Sequence, residues 1–360
     1  MSGVDHGSVG RIKLGKDKSL TLSQENAMVL RNTLHYDKPR QRPERPRVAN
    51  ALTQINTLRS TDGPADVRDL SWVLLRISSR GMLQFLDDLH IPAKQNTPFW
   101  VGFNSMVSPR KETKTVAVYA PVIDAEPADP KTAYTTMMRC KQLSEKMGQD
   151  SVQTMDQQLY AVAQQVKWSK GLEFEHTALR LGGFHTVCCF IGAIGKLFMD
   201  AGLKDLLVES GIYAEGTVDM MLMGKQFHRS VRGLTLVYEA MMQLLLKEFF
   251  SWVDTKGSSP LLTPVWDQLK TTLGELEQAE EFDLAEHVQT LNKDVSDHLL
   301  PRLTDFRELG CARSATFQLW MMYLDTIQIL LRNIRAEREG DWCLHLSTVL
   351  DMEPYLFATD

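Results

Sequence analysis

The chain has no long apolar run and few cysteines, and both absences narrow the classes of protein to which it can belong. No stretch approaches the roughly 18 uninterrupted apolar residues that indicate a membrane-spanning helix. Met1–Lys16 lacks the apolar core of a secretion signal. Five cysteines in 360 residues, an odd number, do not resemble a disulfide framework. The sequence therefore predicts an intracellular protein in a reducing compartment, with no membrane as a partner.

Several common catalytic and metal-binding motifs are also absent. The sequence contains no Cys-x-x-Cys pair, no His-Glu-x-x-His spacing, no Walker-type phosphate loop and no Gly-x-Ser-x-Gly elbow. No internal repeat recurs at a fixed period, and 22 glycines with 14 prolines exclude a collagen-like chain. With 43% hydrophobic residues, the chain is too apolar to be disordered throughout.

Charge is distributed unevenly along the chain. The net charge is −5, but residues 1–50 carry an excess of five positive charges and the remainder carries an excess of ten negative charges. The densest basic stretch contains Lys38, Arg40, Arg42, Arg45 and Arg47. Three prolines within it prevent a helix and hold its backbone in an extended conformation. Two interpretations stand: an arm that contacts nucleic-acid phosphates, with nuclear residence, or a solubilising linker.

Hydrophobic periodicity predicts a mixed α/β core followed by a large all-helical region. The aromatic run Pro98–Asn104 and the Val-rich run Lys114–Ala120 predict an antiparallel hairpin. A helix over 129–147, a strand ending at Asp156, a short helix and a strand at Thr177–Leu181 follow. This order fits a ribonuclease-H-like core and also other small α/β folds. The alternative is a helical protein with a small embedded sheet.

The expected organisation has five parts. They are a mobile basic arm (1–50), a short helical segment (51–95), the mixed α/β core (96–202), a helical insertion (203–310) and C-terminal helices that close on the core (311–360).

Polar side chains at predicted strand ends indicate a candidate metal site. Asn104 ends the first predicted strand and Asp156 ends the strand after the first helix of the predicted core, where ligands gather in open sheets. Oxygen ligands of this kind suit Mg²⁺, and Glu337 or Glu339 is a candidate third ligand. The structural alternatives are a helix N-cap for Asp156 and an exposed helix end for the two glutamates.

Three other features each admit a functional and a structural interpretation. His185, between a strand and a long helix, is a candidate metal ligand or base, or it satisfies a backbone group. Cys188 and Cys189 are candidate zinc ligands or buried core thiols, and the core interpretation is favoured. Gly192–Gly195 is better explained by close helix packing than by nucleotide binding.

Several segments between about residue 98 and residue 360 carry a family resemblance: Trp100–Asn104, Ala120–Asp124, Thr154–Ala161, Leu179–Thr186, Ile191–Lys196, Asp200–Leu203, Gly224–Lys225 with Arg229, and Arg335–Trp342. On these segments the chain resembles an uncharacterised, transposon-derived family that is multiplied across invertebrate and fish genomes.

The resemblance implies a ribonuclease-H-like core, interrupted by a helical insertion, that cuts and joins DNA with acidic residues and Mg²⁺. Two departures from the family pattern point to a truncated or inactive copy. Asn104 stands where the first carboxylate is expected, and the chain stops at Asp360, where similar proteins continue.

Two functions are therefore expected from the sequence. The first is nucleic-acid binding, with Mg²⁺-dependent phosphodiester cleavage or strand transfer if the site is active. The second is a non-catalytic helical protein-interaction module, either homo-oligomeric or with another partner. The 17 methionines fit the second function, because flexible thioethers suit adaptable surfaces, although they also fill ordinary cores.

Overall fold

The computed structural model of the chain describes residues 33–39, 41, 62–80, 97–108, 119–278 and 284–359. Across these residues the fold is mostly helical and contains a single two-stranded parallel sheet. The strands are β1 (Ser151–Met155) and β2 (Thr177–Leu181). The α-helices are α1 (Asp62–Ser79), α2 (Trp100–Val107), α3 (Pro130–Lys146), α4 (Gln157–Lys170), α5 (Gly183–Phe198), α6 (Lys204–Glu209), α7 (Glu215–Leu222), α8 (Phe227–Thr255), α9 (Thr263–Gln278), α10 (Leu284–Asp294), α11 (Leu300–Arg313), α12 (Ala315–Glu339) and α13 (Trp342–Ala358).

The predicted mixed α/β, ribonuclease-H-like fold is wrong, and the error begins at residue 98. The aromatic run predicted as a strand is helix α2. Trp100, Phe103 and Val107 are all buried, and their spacing is that of one helical face. Helical packing of that face overrides the β-propensity of its aromatic residues. The predicted hairpin therefore loses its first strand, and residues 114–118 of its second strand, with the turn before them, lie outside the described residues.

The chain divides into two compact units. Unit 1 comprises Met1–Asn50 and Glu112–Thr186, and unit 2 comprises Ala51–Lys111 and Val187–Asp360.

Unit 1 is built around the β1–α4–β2 segment. The two strands pair in parallel, from Ser151 opposite Thr177 to Met155 opposite Leu181, which confirms both predicted strands. On β1, Ser151 and Gln153 are buried, while Val152 is exposed, so the strand has one covered face. The small hydrophobic core of this unit consists of Tyr36, Ala133, Tyr134, Met137, Ala163, Val166 and Phe174.

Unit 2 is a helical assembly around the long helix α8. Buried side chains recur along α8 at helical spacing, from Leu234 through Tyr238 and Leu245 to Phe249. Close packing also explains Gly195 of α5, one of the two glycines for which the sequence indicated it. A Cβ atom at Gly195 would overlap the carbonyl oxygen of Leu222, so only glycine permits this approach.

One helical stretch in the described part of the chain, Gly183–Glu209, is long and apolar enough to cross a membrane by length and composition. Half of its most apolar window is buried inside the protein, and core helices pass the same test.

Candidate functional site

The residues expected to form one metal site are divided between the two units. Asp156 and His185 belong to unit 1, whereas Asn104, Glu337 and Glu339 belong to unit 2. Asn104 lies within helix α2 rather than at a strand end, so the expected sheet edge does not gather these side chains. Among the residues that the structure describes, no group of three or more His, Cys, Asp or Glu side chains is placed to hold a metal ion.

In unit 1, Asp156 caps helix α4. Its backbone is extended, and its Oδ1 accepts a hydrogen bond from the backbone N–H of Leu159 at 2.8 Å. This contact satisfies one of the free donors at the helix start, and the N-cap interpretation is confirmed. His185 lies in the first turn of α5, half-buried, with its ring edge-to-face against Phe184 at 5.2 Å between centroids.

In unit 2, Asn104 joins a buried polar network. Its Nδ2 donates to the carbonyl oxygen of Trp100 at 2.9 Å, and the Nε1 of Trp100 donates to Asp69 Oδ1 at 2.7 Å. The Arg335 side chain also donates to Asp69 Oδ1, and its second terminal nitrogen donates to the carbonyl of Ala65. The Asp69 and Arg335 side chains are 0% and 2% exposed, so the pair is a fully buried ion pair.

Both candidate catalytic glutamates at the end of α12 are engaged by neighbouring side chains. Glu339 Oε1 accepts hydrogen bonds from Arg68 at 2.7 Å and from the hydroxyl of Ser108 at 2.5 Å. Glu337 Oε1 lies 2.8 Å from Nδ1 of the buried His345. A carboxylate held in this way stabilises the packing of α12 against its neighbours.

Sequence reasoning missed the ion pairs that join α1 to α12. Asp66 and Asp69 are three residues apart on α1, and Arg332 and Arg335 are three apart on α12. The structure pairs them in order: Arg332 Nε lies 3.3 Å from Asp66 Oδ1, and Arg335 contacts Asp69. Acids and arginines at matched i, i+3 spacing within apolar helices were the available signal.

The thiols of Cys188 and Cys189 are half-buried on α5. Burial raises the pKa of both thiols, and the charge of Cys189 adds to the effect at Cys188. A raised pKa disfavours the thiolate that binds metal or attacks substrates, which supports the core-thiol interpretation.

A concave groove lies between α11 and α12 in unit 2. Its volume is about 640 Å³, within the range of binding clefts. Its α11 wall has helical i, i+3, i+4, i+7 spacing, and its α12 wall follows a similar pattern. The lining residues are Thr304, Arg307, Glu308 and Cys311 on α11, with Ala315, Gln318, Leu319, Met321, Met322 and Asp325 on α12.

The groove is closed at one end by a tight turn and bridged by an ion pair farther along. Ser314 ends α11 and begins α12, and its Oγ accepts from the backbone N–H of Phe317 at 3.2 Å. Away from the turn, Arg307 of α11 donates to Asp325 of α12 at 2.5 Å. The turn and the ion pair thus connect the two helices at two points along the groove.

The basic stretch of unit 1 begins at an anchored segment. Tyr36 is 4% exposed, and its hydroxyl lies 2.8 Å from Ser169 Oγ. The ammonium of Lys170 lies over the Tyr36 ring, 5.5 Å from its centroid. Lys38, two residues later, is exposed. The other candidate phosphate contacts, Arg40, Arg42, Arg45 and Arg47, lie outside the described residues.

A family model described as a domain of unknown function (DUF8702) matches residues 99–360, and the chain belongs to this family. No curated protein and no solved structure matches the chain.

Proposed function

We propose that this member of the DUF8702 family is a non-catalytic binding protein that holds a helical segment of a protein partner between α11 and α12. The supporting observation is the groove itself, about 640 Å³ in volume and lined by Cys311, Leu319, Met321 and Met322. Hydrophobic grooves between helices accept the apolar face of another helix, and these four side chains form the apolar part of the lining. Methionine side chains adapt their shape to such a face.

The contacts of the acidic residues favour binding over strand cleavage. Asp156 is occupied as a helix cap, and Glu337 and Glu339 are engaged by His345, Arg68 and Ser108. Metal-dependent phosphoryl transfer needs several carboxylates converging on one point. Among the described residues these side chains stabilise helices and helix packing.

The test is selection of a phage-displayed library of amphipathic helices on the full chain. The displayed helices should be about 20 residues long, because isolated helices shorter than about 12–15 residues are marginal in water. Ala315→Trp blocks the groove, and Ala312→Trp is the matched control, because both alanines are exposed but only Ala315 lines the groove. We expect binders that are lost on Ala315→Trp and retained on Ala312→Trp. Binders that are equally sensitive to both variants, or no binders, overturn the proposal.

The basic stretch favours a second function, contact with nucleic-acid phosphates. Lys38 is exposed, and the anchored Tyr36 fixes where the stretch begins. Duplex binding should weaken with salt, with a slope of log affinity against log salt of about −4.5 if all five basic side chains contact phosphate. Neutralising Lys38, Arg40, Arg42, Arg45 and Arg47 together should abolish this dependence in a fluorescence anisotropy titration. Absence of binding at low salt contradicts this second function.

A further inference from the structure

The two ends of the α11–α12 groove differ in charge. Near the Ser314 turn the lining is uncharged and includes Cys311 and Ala315. Away from the turn, the lining carries Arg307, Glu308 and Asp325. We infer that the partner segment is an amphipathic helix that carries a lysine or arginine at the end facing Glu308 and Asp325. This inference rests on the proposed function and specifies the chemistry of the partner.

The charged end of the groove has one negative charge in excess. Arg307 is already engaged by Asp325 at 2.5 Å, so the two largely neutralise each other. Glu308 is exposed, and it has no ion pair within the described residues. An incoming cation therefore gains from the uncompensated charge of Glu308, whereas an incoming anion is repelled by it.

A neighbouring tyrosine is consistent with a negative environment at this end. Burial raises the pKa of the Tyr355 hydroxyl, and the carboxylates of Asp325 and Asp351 raise it further. The negative charge of Asp325 therefore acts on the Tyr355 hydroxyl as well as on Arg307.

The position of the charges also sets the direction of the bound helix. Apolar side chains of the partner lie against Leu319 and Met322, and its basic residue lies beyond them, away from the Ser314 turn. A partner bound in the opposite direction would place its cation against the uncharged end and leave Glu308 without a counter-charge. The unpaired charges disfavour this reversed orientation. Charges at an interface generally determine orientation more than they increase affinity.

The experiment compares the helix library selected on the wild-type chain with the same library selected on Glu308→Gln. We expect lysine and arginine to be enriched at one end of the wild-type binders, with that enrichment lost on Glu308→Gln. A single recovered helix should bind Glu308→Gln about three- to fivefold more weakly than wild type, as for an exposed ion pair. Asp305→Asn, on the same helix but outside the groove lining, should leave its affinity unchanged.

The outcomes separate the two proposals. Groove-dependent binders with no terminal basic preference, or with affinity unaffected by Glu308→Gln, overturn this inference and leave the proposed function standing. Equal weakening by Glu308→Gln and Asp305→Asn indicates general electrostatic attraction and also overturns it. Absence of any groove-dependent binder overturns the proposed function as well.

Discussion

Two buried acids of unit 2 and one exposed acid of unit 1 stabilise the fold in different ways. In unit 2, Asp69 and Glu239 are 0% and 5% exposed, and each bonds to at least one arginine. In unit 1, Asp156 is exposed and bonds to a backbone N–H at the start of a helix. The residue type is the same or similar, but burial and partner determine what each carboxylate does for the fold.

This difference teaches how a carboxylate in a sequence motif should be interpreted. A buried charge is tolerated only with a partner, because removing it from water costs several kcal/mol unless the charge is compensated. An exposed capping carboxylate stays in contact with water, so it has little desolvation cost, and it contributes about 1 kcal/mol to stability. We therefore expect the cost of removing an acid to follow its role, and the predictions below test that expectation.

The largest effect is expected for Asp69→Ala. The change leaves the guanidinium of Arg335 buried without its counter-charge and the indole N–H of Trp100 without its acceptor. We expect a loss of about 3–5 kcal/mol in the free energy of unfolding, measured by urea titration. The exposed Asp305→Ala is the control and should change stability by no more than about 0.5 kcal/mol.

The double variant Asp69→Leu with Arg335→Met sharpens this test. Replacing both partners of a buried ion pair with apolar side chains removes the unpaired charge, so stability should recover much of the single-variant loss. A double variant as unstable as Asp69→Ala would contradict the assignment of the loss to an uncompensated charge.

Gly195→Ala should produce the next largest effect, within unit 2. The added Cβ would overlap the Leu222 carbonyl oxygen, so α5 must move away from the backbone at Leu222. Overpacking of this kind typically costs about 1–3 kcal/mol. Gly216→Ala is the matched control, because no neighbouring atom lies within 4 Å of its added Cβ. Equal thermal unfolding midpoints for the two variants would contradict the close-packing explanation.

Local periodicity predicted the parts of the fold that depend on neighbouring residues. The sequence predicted the strands β1 and β2, and the long helix α8 lies in the region that it predicted to be helical, because each element carries its period over several residues. Helix α2 was not predicted, because eight residues rich in aromatics fit a strand equally well until packing selects the helix. The Asp69–Arg335 pair joins residues 266 positions apart, a distance that local patterns do not encode.

The candidate sites also divide into features that the local sequence predicts and features that depend on contacts between distant segments. The N-cap role of Asp156 follows from its position just before a helix, and it was among the alternatives that the sequence offered. The groove depends on two helices meeting at Ser314, so its lining has a helical spacing in the sequence but no indication of which face stays open. The engagement of Glu339 by Arg68 depends on a contact between distant segments.

Tyr36→Phe tests the anchored segment of unit 1, where we expect an intermediate effect. The variant keeps the ring against Tyr134, 5.4 Å between centroids, but loses the hydroxyl contact with Ser169. A loss of about 1 kcal/mol is expected, the usual net contribution of one hydrogen bond. Tyr36→Ala also loses the ring contacts and should lead to faster tryptic cleavage after Arg40, the first basic residue beyond Tyr36 that is not followed by proline. Unchanged cleavage in Tyr36→Ala would contradict anchoring through this side chain.

Asp156→Ala is expected to have the smallest effect and tests the comparison most directly. Loss of the cap should cost about 1 kcal/mol, and Asp156→Asn should lose only a few tenths, because asparagine caps a helix nearly as well. Asp341→Ala in unit 2 is the matched variant, since Asp341 accepts from the backbone N–H of Leu344 at 3.0 Å as the cap of α13. Similar losses at Asp156 and Asp341 would mean that the role of the carboxylate, and not the unit in which it lies, determines the loss of stability.

If Asp156 were instead a Mg²⁺ ligand, millimolar Mg²⁺ would raise the Tm of the wild-type chain more than that of Asp156→Asn, and that result would restore the metal-site hypothesis for this residue.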